Sequence, residues 1–237
     1  MRSSRLSLSV LTAIAAVSLA SPVAAPLAAQ GAADWDVRPN SWYWGMYGGQ
    51  TSFATSIART TAPMFGVEWT ITRSRFALNI FAEQSYFNAV STVNNYVADG
   101  PTTAKPTSTP YRVDIQDMRR VGGSAMMFLP QYKYFHPWFG AGYGFNFIRQ
   151  AAPFGIGSQG PAARDSVLAA VENARAQGKL FGELGVMFSY RQWAPFLQYT
   201  VMPSKGSSSW LVNGEGFTNI WKLGFRYSFG PAVQERW

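Results

Sequence analysis

Glu68, Glu83, Asp114 and Glu183, together with Arg120, Lys222 and Arg226, stand at the polar positions of segments whose intervening residues are apolar. Both signs of charge therefore collect on one kind of face. Such a set can do catalytic work as a carboxylate pair or a proton path, because neighbouring charges displace the ionisation of an acid. It can also neutralise itself as an internal ion-pair network, because an isolated ion away from water is too costly to keep. The second reading fits a narrow interior better. It predicts an interior salt-bridge network of Glu68, Glu83, Arg120, Glu183, Lys222 and Arg226, and a marked fall in unfolding temperature when Glu183 is replaced by alanine.

Other chemistry finds little support. A hydrolytic triad needs a histidine beside a nucleophile and an acid, and the single histidine, His136, precedes Pro137 next to a short turn. It is expected to be an interfacial polar residue. One histidine and no cysteine give no credible metal-ligand spacing. The glycine-rich stretches 45–49 and 140–144 do not lead into helices, so neither is a phosphate cradle; glycine there is expected to relieve crowding. No catalytic residue, cofactor or metal is assigned, and the chain is read as a non-enzyme.

The elements that must position these side chains are eight segments of period-two alternation. They are Trp42–Phe53, Phe65–Thr72, Phe76–Asn88, Val113–Leu129, Phe135–Ile148, Leu180–Arg191, Trp193–Met202 and Phe217–Phe229. In the last, Phe217, Trp221, Leu223, Phe225, Tyr227 and Phe229 alternate with Thr218, Lys222, Gly224, Arg226 and Ser228. Gly122-Gly123 invites a bulge in the fourth segment, and Gly230-Pro231 is expected to break the last strand.

Nothing else in the chain can cover eight apolar faces, and lipid is the simplest cover. Aromatic residues make up 16% of the chain, with 9 Trp, 11 Tyr and 17 Phe against 14% charged residues, as the interfacial girdles of a membrane barrel require. A closed barrel is the one strand architecture that can span a bilayer. The fold class is thus all-β, an eight-stranded antiparallel up-and-down transmembrane β-barrel with one short loop helix.

Connections alternate in length. Ala54–Met64, Ala89–Arg112, Arg149–Lys179 and Pro203–Gly216 read as long, while Arg73–Arg75, Pro130–Tyr134 and Gln192 read as short. Every long loop then lies at one end with both chain termini at the other, and the short turns face the periplasm. The Ala89–Arg112 loop should be mobile. Pro161–Gln177 reads as a helix capped by Gly178, and its short, alanine-rich apolar stripe predicts a solvated loop helix.

At the N-terminus, Arg2 and Arg5 precede an apolar run from Leu6 to Ala20 and small residues around Ala24–Ala29, the layout of a cleaved secretory signal. Residues 1–29 are read as signal peptide and 30–237 as the barrel domain. Loss of the signal lowers the net charge from +8 to about +6, with no basic cluster that would follow a nucleic acid.

Lys222, Gly224, Tyr227 and Phe229 resemble the terminal-strand assembly signal of bacterial outer-membrane barrels: polar, any, Gly, any, any, aromatic, any, aromatic. Through strand count and loop asymmetry the mature chain resembles the small OmpA transmembrane-domain and OmpX type. The resemblance implies residence in the bacterial outer membrane, contact with its lipids and lipopolysaccharide, handling by the barrel-assembly machinery and a monomeric state. It implies architecture and destination more than activity: a structural or surface-interaction role with an occluded polar interior, the alternative being transport of a small hydrophobic ligand, and a lipid-modifying enzyme a more distant third.

Overall fold

The computed structural model describes residues 40–97, 107–131, 134–156, 161–203, 210–214 and 216–231. The expected signal segment lies outside them. The strands are β1 (Ser41–Ala54), β2 (Arg59–Arg73), β3 (Phe76–Val97), β4 (Thr107–Phe128), β5 (Phe135–Pro153), β6 (Ala176–Phe188), β7 (Trp193–Pro203) and β8 (Phe217–Pro231), with one helix, α1 (Pro161–Asn173), between β5 and β6. Each strand pairs antiparallel with its neighbours in sequence and β1 pairs with β8, closing the barrel. Closure leaves no sheet edge at membrane depth, so backbone groups are satisfied without water.

Alternation sorts the side chains as the fold requires. Trp42, Trp44, Met46, Phe65, Val67, Phe76, Leu78, Ile80, Phe139, Phe145, Leu184, Leu197, Trp221 and Leu223 are exposed on the outer wall, while Tyr43, Tyr47, Glu68, Glu83, Arg120, Phe181 and Lys222 are buried within. Soluble monomers rarely expose an apolar patch beyond about 300–600 Å²; here the apolar belt touches all eight strands. Near the short turns Trp69 packs on Trp42 and Trp44 with ring centroids 5.2 and 6.0 Å apart, and Tyr227 contacts Trp193 and Phe229. Towards the other end Tyr199 and Trp221 lie 4.7 Å apart. Among the described residues no helix is long and apolar enough to cross a membrane; the spanning elements are strands.

Several boundaries differ from the sequence expectation. The expected loop Ala54–Met64 is mostly strand: β2 begins at Arg59, and the connection is a tight turn closed by Thr55 N–H donating to Ala58 O at 2.9 Å. Most of the expected mobile loop Ala89–Arg112 is likewise a β3–β4 ladder running to Val97 and Thr107. Above a membrane both faces of a strand meet polar surroundings, so apolar alternation fades while β-branched content and ladder hydrogen bonding persist. The strict alternation of long and short connections therefore does not hold at the first of them.

The Gly122-Gly123 bulge is absent. Gly122 pairs regularly with Phe81 and Gly144, and a Cβ there would stand 2.5 Å from Tyr143 O, so the glycine serves close strand approach. The register shift falls instead between Ser85 and Asn88 on β3, opposite Asp117, whose φ is +52°. It reverses the alternation of β4. Met118 and Arg120 face inward on one side of it, Val113 and Ile115 on the other, and Asp114, expected inward, is half-exposed between the latter two. The strand break expected at Gly230-Pro231 is also corrected. Gly230 takes φ +120° beside a register shift at Trp42/Tyr43, and Pro231 still pairs with Ser41.

The helix is shorter than expected and is not a solvated appendage. It ends at Asn173, and Gly178 lies in β6, where a Cβ would collide with the Tyr143 ring. Val167 and Val171 are fully buried in an apolar cluster with Trp210, Leu211 and Val212 of the β7–β8 connection. Leu211 N–H donates to Ala174 O at 3.2 Å and the Ser91 hydroxyl donates to Leu211 O. The alanine-rich stripe was narrow because this surface meets another loop, and pairing between distant loops leaves no period in the sequence.

Candidate functional site

The barrel interior holds two apolar clusters. One, at the loop end, includes Phe53, Phe81, Ile115, Ile148, Phe181 and Met202; the other includes Tyr43, Tyr47, Met126, Trp138, Met187 and Phe196. Ionic side chains lie among them. Glu83 is their centre: its Oε1 is 2.6 Å from Arg120 Nε, its Oε2 is 2.9 Å from Lys222 Nζ, and that same Oε2 accepts a hydrogen bond from Tyr47 Oη at 2.9 Å. Glu68 forms a second pair, accepting from Arg226 Nε and, at 2.9 Å, from Asn79 Nδ2. All five charged side chains are at most 3% exposed.

Glu183 is held differently. Ser124 Oγ donates to its Oε1 at 2.6 Å and Gln198 Nε2 to its Oε2 at 2.8 Å. Among the described residues no cation lies within ion-pair distance of it. Glu183→Ala would strand two neutral donors, not a buried charge, at a cost of about 1–3 kcal/mol. The check is the urea midpoint in lipid vesicles; an unchanged midpoint would show that these hydrogen bonds add nothing.

The cations rest on rings as well as on carboxylates. Arg120 Cζ lies 4.8 Å from the Phe81 centroid and 5.3 Å from that of Phe181. Its Nε faces Glu83 without hydrogen-bond alignment, and among the described residues Nη1 and Nη2 have no acceptor. The guanidinium is thus held by charge and by aromatic faces. Lys222 Nζ sits 4.6 Å from the Tyr47 ring, and Arg226 Cζ 4.4 Å from that of Phe196. Glycine makes the room: a Cβ at Gly45 would stand 2.9 Å from Glu68 Cγ, and one at Gly66 2.5 Å from Tyr47 Cζ.

Sequence reasoning named six of these residues and missed the neutral ones that bind them. Tyr47, Asn79, Ser124 and Gln198 all lie on inward faces, but a polar residue in a strand carries no sign of which carboxylate it will meet. His136 is buried, not interfacial, at the short-turn end. Of the expected assembly signal, Lys222 points inward, Gly224 allows the close approach of β1, Tyr227 Oη donates to Gln192 Oε1, and Phe229 is exposed on the outer wall. Among the described residues no group of side chains could hold a metal ion.

No family model and no curated protein matches this chain. Among solved structures it is similar to Neisserial surface protein A, with 12% identity and TM-score 0.47 over 79% of this chain and 97% of that one. It is similar also to Ail, the attachment invasion locus protein of Yersinia pestis, in complex with the heparin analogue sucrose octasulfate, with 11% identity and TM-score 0.44 over 81% of this chain and all of the other. A third is the outer membrane protein OprG from Pseudomonas aeruginosa, with 11% identity and TM-score 0.43 over 81% and 97%. The strand order of this chain is itself that of a closed, eight-stranded, antiparallel up-and-down barrel.

Proposed function

We propose that this chain is a non-enzymatic integral protein of the bacterial outer membrane, delivered by a cleaved signal peptide, whose occluded barrel serves as a rigid base for surface-exposed loops. The supporting observation is its inside-out polarity: apolar and aromatic side chains around the whole outer wall, and buried, mutually paired charges within. Eight strands leave an interior about wide enough for side chains alone. Here Tyr47, Phe81, Arg120, Trp138, Phe181 and Lys222 fill it, and α1 with Trp210–Val212 covers the loop end. The interior pairs fix strand register and keep the lumen closed, the terminal strand with Lys222, Gly224, Tyr227 and Phe229 is the segment read by the assembly machinery, and the protein works as a monomer.

Carriage of a small hydrophobic ligand is disfavoured by the contact of Phe81 with Phe181, 5.6 Å between centroids, above the guanidinium of Arg120. The test combines carbonate extraction of the membranes that hold the protein with two measurements on the purified protein. Heat-modifiability on a cold gel, resistance to carbonate extraction and silence in a planar bilayer are expected together. Carbonate release without detergent would exclude the membrane barrel, and a stable single-channel conductance would exclude the closed lumen.

A further inference from the structure

Two inward side chains of the barrel carry polar atoms that no neighbour satisfies. Arg120 on β4 and Asn146 on β5 stand opposite each other in register, and both are buried, Asn146 completely. Among the described residues neither Nη1 nor Nη2 of Arg120 has an acceptor, and Oδ1 of Asn146 has no donor. Buried donors and a buried acceptor thus share one row of the interior without bonding to each other. Native interiors rarely leave such groups unmet, because each has given up its hydrogen bonds to solvent.

The orientation of the Asn146 amide decides which chemistry can answer them. Its Nδ2 donates to Gln177 O on β6 at 3.2 Å and faces Met202 Sδ at 3.8 Å. Turned over, the amide would set Oδ1 against that carbonyl oxygen, so Oδ1 is fixed as the acceptor on the other side. Gln177 is the register partner of Asn146, and its own Oε1 is likewise enclosed without a donor. From β4 to β6 the row therefore presents a cation with unmet N–H groups and then two amide oxygens. An anion would suit the guanidinium but meet the lone pairs of both amides. Water suits all of them, since one molecule accepts from N–H groups and donates to oxygens.

There is room beside them. Gly144 lies two residues from Asn146 on the same inward face of β5, and a Cβ there would come no nearer than 3.6 Å to Arg120 Cγ, Arg120 Cδ or Phe181 Cε1. We infer that this row is a binding site for a buried water molecule, which accepts from the Arg120 guanidinium and donates to Asn146 Oδ1 and Gln177 Oε1. The water joins β4, β5 and β6 through their side chains. It also positions the guanidinium against the Phe81 and Phe181 rings, and with it one of the two cations that Glu83 holds. The inference rests on the closed lumen proposed above, because in an open pore the same groups would face passing solvent.

The test is a high-resolution crystal structure of the purified protein grown with bromide in place of chloride, joined to water-selective NMR of the protein in lipid nanodiscs. Density for a water within about 2.7–3.2 Å of an Arg120 Nη and of Asn146 Oδ1 is expected, with no anomalous bromide signal there. In the NMR experiment the guanidinium protons of Arg120 should receive magnetisation from bound water, and Asn146→Leu, once shown to be heat-modifiable, should lose that transfer. Should Asn146→Leu fail to fold, the wild-type density decides alone. A bromide peak on Arg120 would assign the site to an anion and overturn the proposal. Direct bonding of Arg120 to Asn146 Oδ1, or undiminished transfer in folded Asn146→Leu, overturns it equally. In a barrel that is silent in a planar bilayer these results remove the water alone, whereas a stable conductance removes the closed lumen and the resident water together.

Discussion

Replacing Glu83 by alanine is expected to destabilise the folded barrel by about 3–5 kcal/mol, because it leaves two buried cations without their shared anion. Arg120 and Lys222 are each at most 2% exposed and both point at this one carboxylate, which also accepts the Tyr47 hydroxyl. Neither cation can swing to water, since the apolar clusters close the interior towards either end. Nor can Glu183 take over readily: it lies on β6 and is already engaged by Ser124 and Gln198. The cost belongs to stranding the charges, not to any large net gain from the pair. Hence the simultaneous change Glu83→Leu, Arg120→Met, Lys222→Met should recover most of the loss, as buried ion pairs exchanged for apolar groups of similar volume often do. Urea titration in lipid vesicles, read by gel mobility and tryptophan fluorescence, separates the cases. A single mutant with a wild-type midpoint would show that the interior is wet and the ions solvated.

The contrast between Glu83 and Glu183 marks how far the sequence was legible. Period-two alternation made the strand count, the inward faces and the charged residues readable, because a strand has only two sides and lipid tolerates ions on neither the belt nor an open edge. It could not say which acid meets which base, since that depends on shear around the closed barrel, which the sequence does not carry locally. The register reversal at Asp117 belongs to the same class: one residue in the left-handed region turns Val113 and Ile115 inward and Asp114 away, with no glycine to announce it. Where strands leave the membrane the alternation stops being informative, so β2, β3 and β4 all reach further than their apolar patterns. The covered loop end was invisible for another reason. Val167, Val171 and the Trp210–Val212 segment bury one another across some 40 residues of chain, and no short-range pattern encodes that meeting.

The seam between β1 and β8 is the joint on which closure depends, and a single methyl group there should prevent it. At Gly49 a Cβ would lie 1.9 Å from Trp221 O and 2.9 Å from Trp221 C, with Lys222 Cα at 3.1 Å. All three are backbone or Cα atoms of β8, so no rotamer change relieves the contact; the strands themselves must separate. Separation at this point breaks the register Gly49↔Lys222 and Gln50↔Trp221 and withdraws Lys222 from Glu83. Gly49→Ala is therefore expected to exceed the usual overpacking cost of about 1–3 kcal/mol and to abolish the heat-modifiable form, the protein running as an unfolded band and failing to accumulate in the outer membrane. Gly48→Ala is the control one residue away. Its Cβ projects to the lipid side with only Met64 O within 4 Å, and it should leave gel mobility unchanged. If Gly49→Ala folded as well as Gly48→Ala, β1 and β8 would have to stand further apart than the pairing of Gly49 with Lys222 allows, and the placement of Lys222 beside Glu83 would fall with it.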